Sequence, residues 1–283
     1  MKALILGGNG LLGHKLFEVF SREVPTFATI RGESHSPYVL PNIDIREMSK
    51  VMAAIDRVKP DVVINAVGAV KQKLLATHEL YYINAVMPRH LADVCLNRRV
   101  RLIHVSTDCV FSGKTGNYSE HNTPDPDDKY GLTKWRGEVS REGCVTVRSS
   151  FVGWQLKGRE GLLSWLSDQR GRSIRGFKNA VFSGMASEVF ADAIFKLATE
   201  HETLSGIYHV AAEPISKYDL LVKLRDALKW DIDIVEDGEF VSDRSLDGSL
   251  FKGITGFTAP SWDNMVYSLM REWLMYQPFY GGL

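Results

Sequence analysis

Cysteine is scarce in this 283-residue sequence: Cys95, Cys109 and Cys144 make an odd count, lie far apart and show no metal-type spacing. Neither a disulfide framework nor a metal site is expected, and the thiols read as reduced. An excess of either charge is also missing. With 34 Lys and Arg against 34 Asp and Glu, the chain has no electrostatic footprint for nucleic acid or an anionic membrane, and neither is expected as a partner. Long apolar runs are lacking too. The run that follows Met1-Lys2 meets glycines after a few residues, which fits neither a signal peptide nor a membrane span, so a cytoplasmic protein is expected. No repeat, low-complexity tract or linker interrupts the chain.

What is present is 45% apolar residues, enough for one large α/β unit with a smaller lobe sharing an interface. Strand-length apolar runs alternate with segments of helical period: Ala3 to Leu6, Leu11 to Phe20, Thr26 to Ile30, Asp61 to Val67. That alternation predicts a Rossmann-type, doubly wound parallel sheet with helices on both faces. Met48 to Val58 has helical spacing and stops before Pro60. A crossover helix is predicted from Glu79 to Asn97, with Pro88 kinking it or marking a late start. The strand Leu102 to Val105 runs into Ser106-Thr107-Asp108, and residues 112–128 form a loop long enough to serve as a lid or substrate loop. A helix over Lys129 to Arg141 and a strand over Cys144 to Arg148 follow. Beyond about residue 150 the pattern is less regular, with helices near 160–170, 187–200, 217–229 and 262–275 and short strands such as Ile207 to Val210. Residues 1–150 therefore read as the dinucleotide-binding domain, with some later segments returning to it, and 151–283 mainly as a substrate-binding lobe.

Gly7, Gly10 and Gly13 stand three apart, directly after a buried strand and at the head of a helix. There, missing Cβ atoms and free backbone N–H groups let the pyrophosphate of a dinucleotide approach, with Asn9, Leu11 and Leu12 completing the turn. At the end of the second strand, where an acidic residue would hold the ribose 2′-hydroxyl of NAD, the chain has Arg31. A guanidinium suits a 2′-phosphate, so NADPH is the expected cofactor, with NADH the alternative. Asp44-Ile45 is placed to flank the adenine. The small residues of Ala66-Val67-Gly68 would let the end of the fourth strand pass close to the cofactor, although packing explains them as well.

Tyr130 and Lys134 are four apart on a predicted helix and share a face. Of the ten tyrosines, Tyr130 alone has a lysine four residues on. Hydride addition to a ketone leaves an alkoxide that must be protonated, and a neighbouring ammonium favours a phenolate and lowers the pKa of a tyrosine. Thr107, at the end of its strand, is placed to aim the carbonyl oxygen. The alternative for Thr107 is a hydroxyl that caps a local turn.

Together these residues resemble the extended short-chain dehydrogenase/reductase superfamily, and within it the dTDP-4-dehydrorhamnose reductase group. The specific parts are Gly7 to Gly13, the stretch Val105 to Gly113, and Tyr130-Gly131-Leu132-Thr133-Lys134 with the trailing Gly137-Glu138. The resemblance implies a 4-keto nucleotide sugar as substrate, in cell-surface polysaccharide precursor synthesis, and possible homodimers. It implies that Thr107 is the catalytic hydroxyl, Tyr130 the proton donor and Lys134 the residue that also holds the nicotinamide ribose. Asn84 fits the family's asparagine on the preceding helix, and Arg148-Ser149-Ser150 the segment passing the nicotinamide. Substrate contacts are expected from Lys71, in Lys71-Gln72-Lys73, from Asp108, Cys109, Val110 and Phe111, and from Arg244. The chain departs from the family at Phe182-Ser183-Gly184-Met185, where a Pro-Thr pair is usual, so the substrate wall is expected to differ.

Two other functions compete. A dehydratase typically carries an Asp-Glu pair after the threonine, and Asp108-Cys109 here disfavours elimination. Epimerase-reductases similar to GDP-fucose synthase carry a cysteine at the position of Cys109 but also need a histidine on the helix spanning Gly161 to Arg170, which has none. From another class, the chain is similar to the regulatory beta subunit of methionine adenosyltransferase, which would bind cofactor without turnover. Retention of Thr107, Tyr130 and Lys134 favours an enzyme.

Overall fold

Side chains alternate along a strand, so a run such as Ala3-Leu4-Ile5-Leu6 can bury both of its faces only if layers cover the sheet on both sides. That is the arrangement in the computed structural model, which describes residues 1–70 and 75–280. The strands are β1 (Ala3–Leu6), β2 (Thr26–Thr29), β3 (Val39–Leu40), β4 (Val62–Asn65), β5 (Arg101–Val105), β6 (Cys144–Arg148), β7 (Phe151–Val152), β8 (Arg172–Phe182), β9 (Met185–Ala186), β10 (Gly206–His209), β11 (Ile215–Ser216) and β12 (Ile232–Asp243). The helices are α1 (Gly13–Ser21), α2 (Met48–Val58), α3 (Thr77–Tyr81), α4 (Met87–Asn97), α5 (Lys129–Gly137), α6 (Leu162–Ser167), α7 (Ser187–Glu200), α8 (Lys217–Leu228), α9 (Ser249–Thr255) and α10 (Trp262–Tyr276). Among the described residues, seven strands form a central parallel sheet in the order β10-β6-β5-β4-β1-β2-β3. Ala3 and Ile5 pack with α1 and α7 on one face, and Leu4 and Leu6 with α2 and α4 on the other. The strand order reverses between β1 and β4, the kind of crevice where open parallel sheets take ligands.

Three local details differ from what the sequence predicts. The segment around Pro88 is one continuous run in which a π-helical turn, Tyr82–Val86, joins α3 to α4. Pro88 has no N–H for the Asn84 carbonyl four residues back. That carbonyl faces Gly137 of α5 instead, where any Cβ would collide with it. The helix predicted to reach Arg141 ends at Gly137, because Glu138 turns extended (φ −63°, ψ 139°) and Val139 bonds Thr146 through both its backbone N–H and its carbonyl. Past residue 150, β8 and β12 are long paired strands with exposed polar positions, so they lack the apolar alternation that marks strands in sequence. β10 closes one edge of the central sheet, and α7 packs on α1.

Candidate active site

The glycine turn is built by close approach. Gly7 sits at φ +88°, a conformation open to glycine at little cost, and a Cβ there would lie 2.9 Å from the Val67 side chain at the end of β4. A Cβ on Gly13 would collide with the Gly7 carbonyl oxygen. The backbone N–H of Gly8 donates to the Thr29 carbonyl at 2.8 Å, and that of Gly10 to the Gly7 carbonyl at 2.9 Å. No side chain caps the start of α1 at Leu12; the His14 N–H is taken by the Gly10 carbonyl, and the N–H groups ahead of it are left to meet an anion. A pyrophosphate fits this cradle, with Asn9, Gly10 and Leu11 at its partly open rim.

Arg31 is exposed just past β2, beside Asp44, whose carboxyl lies below the usual carboxylate range. The main cause of that depression is Arg46, which donates to both Asp44 oxygens at 3.0 and 2.8 Å and reaches Glu79 at 2.8 Å. Asp44 is therefore tied to a guanidinium that the sequence did not reveal as its partner, while Ile45 beside it is buried. Ala66, Val67 and Gly68 follow β4 with rising exposure. Asn84 anchors this segment: its side chain accepts from the Ala69 N–H at 2.8 Å, donates to the Ala69 carbonyl at 2.9 Å and reaches Thr133 at 3.2 Å. Opposite Gly68, at 3.8 Å from where its Cβ would stand, is the Lys134 ammonium. The fourth strand's end, the asparagine and the lysine thus converge.

Thr107 lies two residues past the end of β5 and caps the short 3-10 turn Asp108–Val110, accepting from the Cys109 N–H at 3.2 Å. The Thr107 hydroxyl also comes near the Tyr130 phenol. Gly131 makes this meeting possible, since a Cβ there would collide with the Cys109 carbonyl oxygen. The charge pattern differs from expectation. Burial raises the Tyr130 pKa, with the Cys109 thiol adding to the rise and the nearby Thr107 hydroxyl opposing it, so the phenol is held in its protonated form. Burial also lowers Lys134 to about 8, against the opposing charge of Glu138.

A buried polar chain lies behind the end of β5. Glu138 accepts from Ser106 at 2.7 Å and from two nitrogens of Arg148 at 2.8 and 2.7 Å. Arg148 continues to His209 at 3.2 Å, and His209 to the Tyr118 carbonyl at 2.9 Å. Burial and the Arg148 charge push His209 down to about 3, so it is neutral at ordinary pH. The resemblance placed Arg148 beside the nicotinamide; the structure commits its guanidinium to this chain, with Ser149 buried next to it. An arginine closing an otherwise apolar strand was the one signal in the sequence that could have pointed to a buried partner.

The expected substrate residues divide. Val110 and Phe111 are fully buried and have no side-chain surface to offer a ligand, which corrects that expectation. Phe111 instead stacks on Tyr118 at 4.2 Å, and the Tyr118 hydroxyl accepts from the N–H groups of Gly113 and Thr115, both at 3.2 Å, so the pair folds the 112–128 loop back on itself. Asp108 is buried, and the Thr107 hydroxyl lies 3.1 Å from its carboxylate. Cys109 is half-buried, with the Arg244 guanidinium 3.9 Å from its sulfur. Arg244 also donates to the Phe111 carbonyl at 3.0 Å and to Asp127 at 2.7 Å. Lys71, with Gln72 and Lys73, lies outside the described residues. Phe182, Ser183 and Met185 are buried in the turn from β8 to β9, where Ser183 bonds the Leu246 N–H at 2.7 Å, so they are core and not an exposed wall. Among the described residues no helix is long and apolar enough to cross a membrane.

Comparison with known proteins gives the family and the fold. The family described as the RmlD substrate binding domain matches residues 1–237. The chain is 29% identical over 197 residues to a dTDP-4-dehydrorhamnose reductase of Aggregatibacter actinomycetemcomitans, covering 65% of this chain and 67% of that protein. It is 27% identical over 265 residues to a probable low-salt glycan biosynthesis reductase of Haloferax volcanii, covering 83% of each. The crystal structure of a hypothetical dTDP-4-dehydrorhamnose reductase from Sulfolobus tokodaii superposes with a TM-score of 0.79 at 27% identity, over 94% of this chain and 99% of that one.

Proposed function

The chain belongs to the RmlD substrate binding domain family, and from that premise we propose that it reduces the 4-keto group of a nucleotide-linked deoxysugar with NADPH, in the synthesis of a cell-surface polysaccharide precursor. The observation that carries this reading is the convergence of Tyr130 and Lys134, one turn apart on α5, with the turn capped by Thr107: Gly131 packs on the Cys109 carbonyl and the Lys134 ammonium faces Gly68, next to the Val67 that meets the glycine cradle.

Bound NADPH would supply the hydride; the chain's own residues handle orientation and the proton. Gly7 to Gly13 would hold the pyrophosphate, Arg31 the 2′-phosphate, and Asp44 and Ile45 the adenine side. Lys134, next to Gly68, would hold the nicotinamide ribose. Thr107 donates a hydrogen bond to the carbonyl oxygen of the sugar, where negative charge develops. Tyr130, kept protonated by burial, gives its proton to the forming alkoxide, and the Lys134 ammonium favours the phenolate left behind. Asp108, Cys109 and Arg244 line the substrate side, with residues 151–283 mainly forming that lobe.

The test is incubation of the protein with NADPH and a panel of 4-keto nucleotide sugars, followed by loss of nicotinamide absorbance and analysis of the product. Oxidation of NADPH with formation of the 4-hydroxy sugar is expected. Tight NADPH binding without oxidation by any member of the panel would overturn the reductase in favour of a non-catalytic subunit. Solvent proton exchange beside the ketone, lost in Cys109→Ser, would mean epimerisation accompanies reduction.

A further inference from the structure

α10 lies beyond residue 237, where the family match ends, yet it contacts the helix that carries the glycine turn. Glu272 and Tyr276 are four apart and share one face of α10. They meet two consecutive residues of α1, His14 and Lys15. Lys15 is 1% exposed and pairs with Glu272 at 2.6 Å. The His14 Nε2 lies 2.7 Å from the Tyr276 hydroxyl, and its Nδ1 lies 2.8 Å from the Gly10 carbonyl oxygen. Packing of Trp154 against Tyr276, with the indole N–H donating to the Leu269 carbonyl at 2.8 Å, fixes α10 in place.

The bonding partners settle the proton positions. A carbonyl can only accept, so Nδ1 carries the ring proton and donates to Gly10, while Nε2 of the neutral imidazole accepts from the Tyr276 O–H. Burial favours that neutral form. The Gly10 carbonyl accepts in addition from the His14 backbone N–H at 3.2 Å. In a trans peptide the C=O and the next N–H point in opposite directions. Holding the Gly10 carbonyl toward α1 therefore holds the Leu11 N–H away from the helix, toward the anion site in front of it.

We propose that Tyr276 and His14 are positioning residues for the cofactor: through the Gly10 carbonyl they fix the peptide whose Leu11 N–H meets the pyrophosphate, so the C-terminal helix sets NADPH affinity. This inference rests on the assignment of the glycine turn to a dinucleotide. Binding of NADPH to the unaltered protein reports on that assignment, and the ratio between variant and unaltered protein reports on the inference.

The experiment measures the Kd of NADPH by its fluorescence and that of adenosine 2′-monophosphate, which lacks the pyrophosphate, by competition. Tyr276→Phe keeps the ring packing and removes one hydroxyl. Its NADPH Kd is expected to rise about tenfold, the order of one lost hydrogen bond, with the adenosine 2′-monophosphate Kd unchanged. An unchanged NADPH Kd, or an equal loss for both ligands, would overturn the proposal. If Tyr276→Phe does not fold, His14→Leu gives the same reading: selective loss of the pyrophosphate-bearing ligand supports the link, and no selectivity sinks it.

Discussion

The Lys134 ammonium donates to the Val105 carbonyl oxygen at 2.7 Å, bridging from α5 to the last residue of β5. The side chain is thereby held, buried, between the strand end just before Thr107 and the helix that carries Tyr130. Its pKa is lowered to about 8 from an ordinary 10.5. Between those values the unfolded chain binds a proton that the folded chain does not, so this group makes stability rise as pH increases from about 8 toward 10.5. Urea midpoints measured across that window should climb less in Lys134→Met than in the unaltered protein. Parallel curves would refute the assignment. The same variant should also bind NADPH more weakly.

Tyr130 is expected to be separable from cofactor binding. Tyr130→Phe keeps the ring and removes the proton, so kcat should fall by roughly 10²–10⁴, the usual contribution of a general acid. The Kd of NADPH should hardly move. Retention of most of the activity would show that another group donates the proton.

Arg31 is exposed and carries its charge beside an Asp44 already neutralised by Arg46. Arg31→Ala should lower the kcat/KM ratio of NADPH to NADH by roughly tenfold or more, since charge-assisted contacts to phosphate are among the strong hydrogen bonds. A ratio that stays put would leave Arg31 as a solvated side chain.

Glu138 and Arg148 are 4% and 3% exposed in their side chains. Glu138→Leu leaves the guanidinium buried and unpaired, and should cost about 3–5 kcal/mol of stability. The double variant Glu138→Leu/Arg148→Met should recover most of that loss, as judged by urea unfolding. Equal losses in the single and double variants would contradict a paired role.

Much of the candidate site was legible in the sequence because its signals are local. Gly7, Gly10 and Gly13 sit within one turn, and the Tyr130–Lys134 spacing is one turn of a helix. The capping of Asp108–Val110 by Thr107 is also local. Less legible were the surroundings of Val110 and Phe111: substrate contact was expected of both, yet both side chains are buried, and Phe111 meets Tyr118, Arg148 and His209. The helix stop at Gly137 was hidden for a similar reason, since Glu138 leaves the helix to reach β6.

The sequence by itself determined the parallel sheet, the glycine turn at its first helix, the threonine past β5 and the tyrosine–lysine spacing on α5. Period and spacing encode these, and they act over a few residues. Tertiary structure alone decided which charges are tied up and what holds the site rigid: Asp44 by Arg46, Glu138 by Arg148, and Gly10 through His14 to Tyr276, whose contact spans 262 positions. Such partners have no local signature. They meet only once the sheet and its helices have packed, because a buried polar group must find whichever complementary group the fold brings within reach.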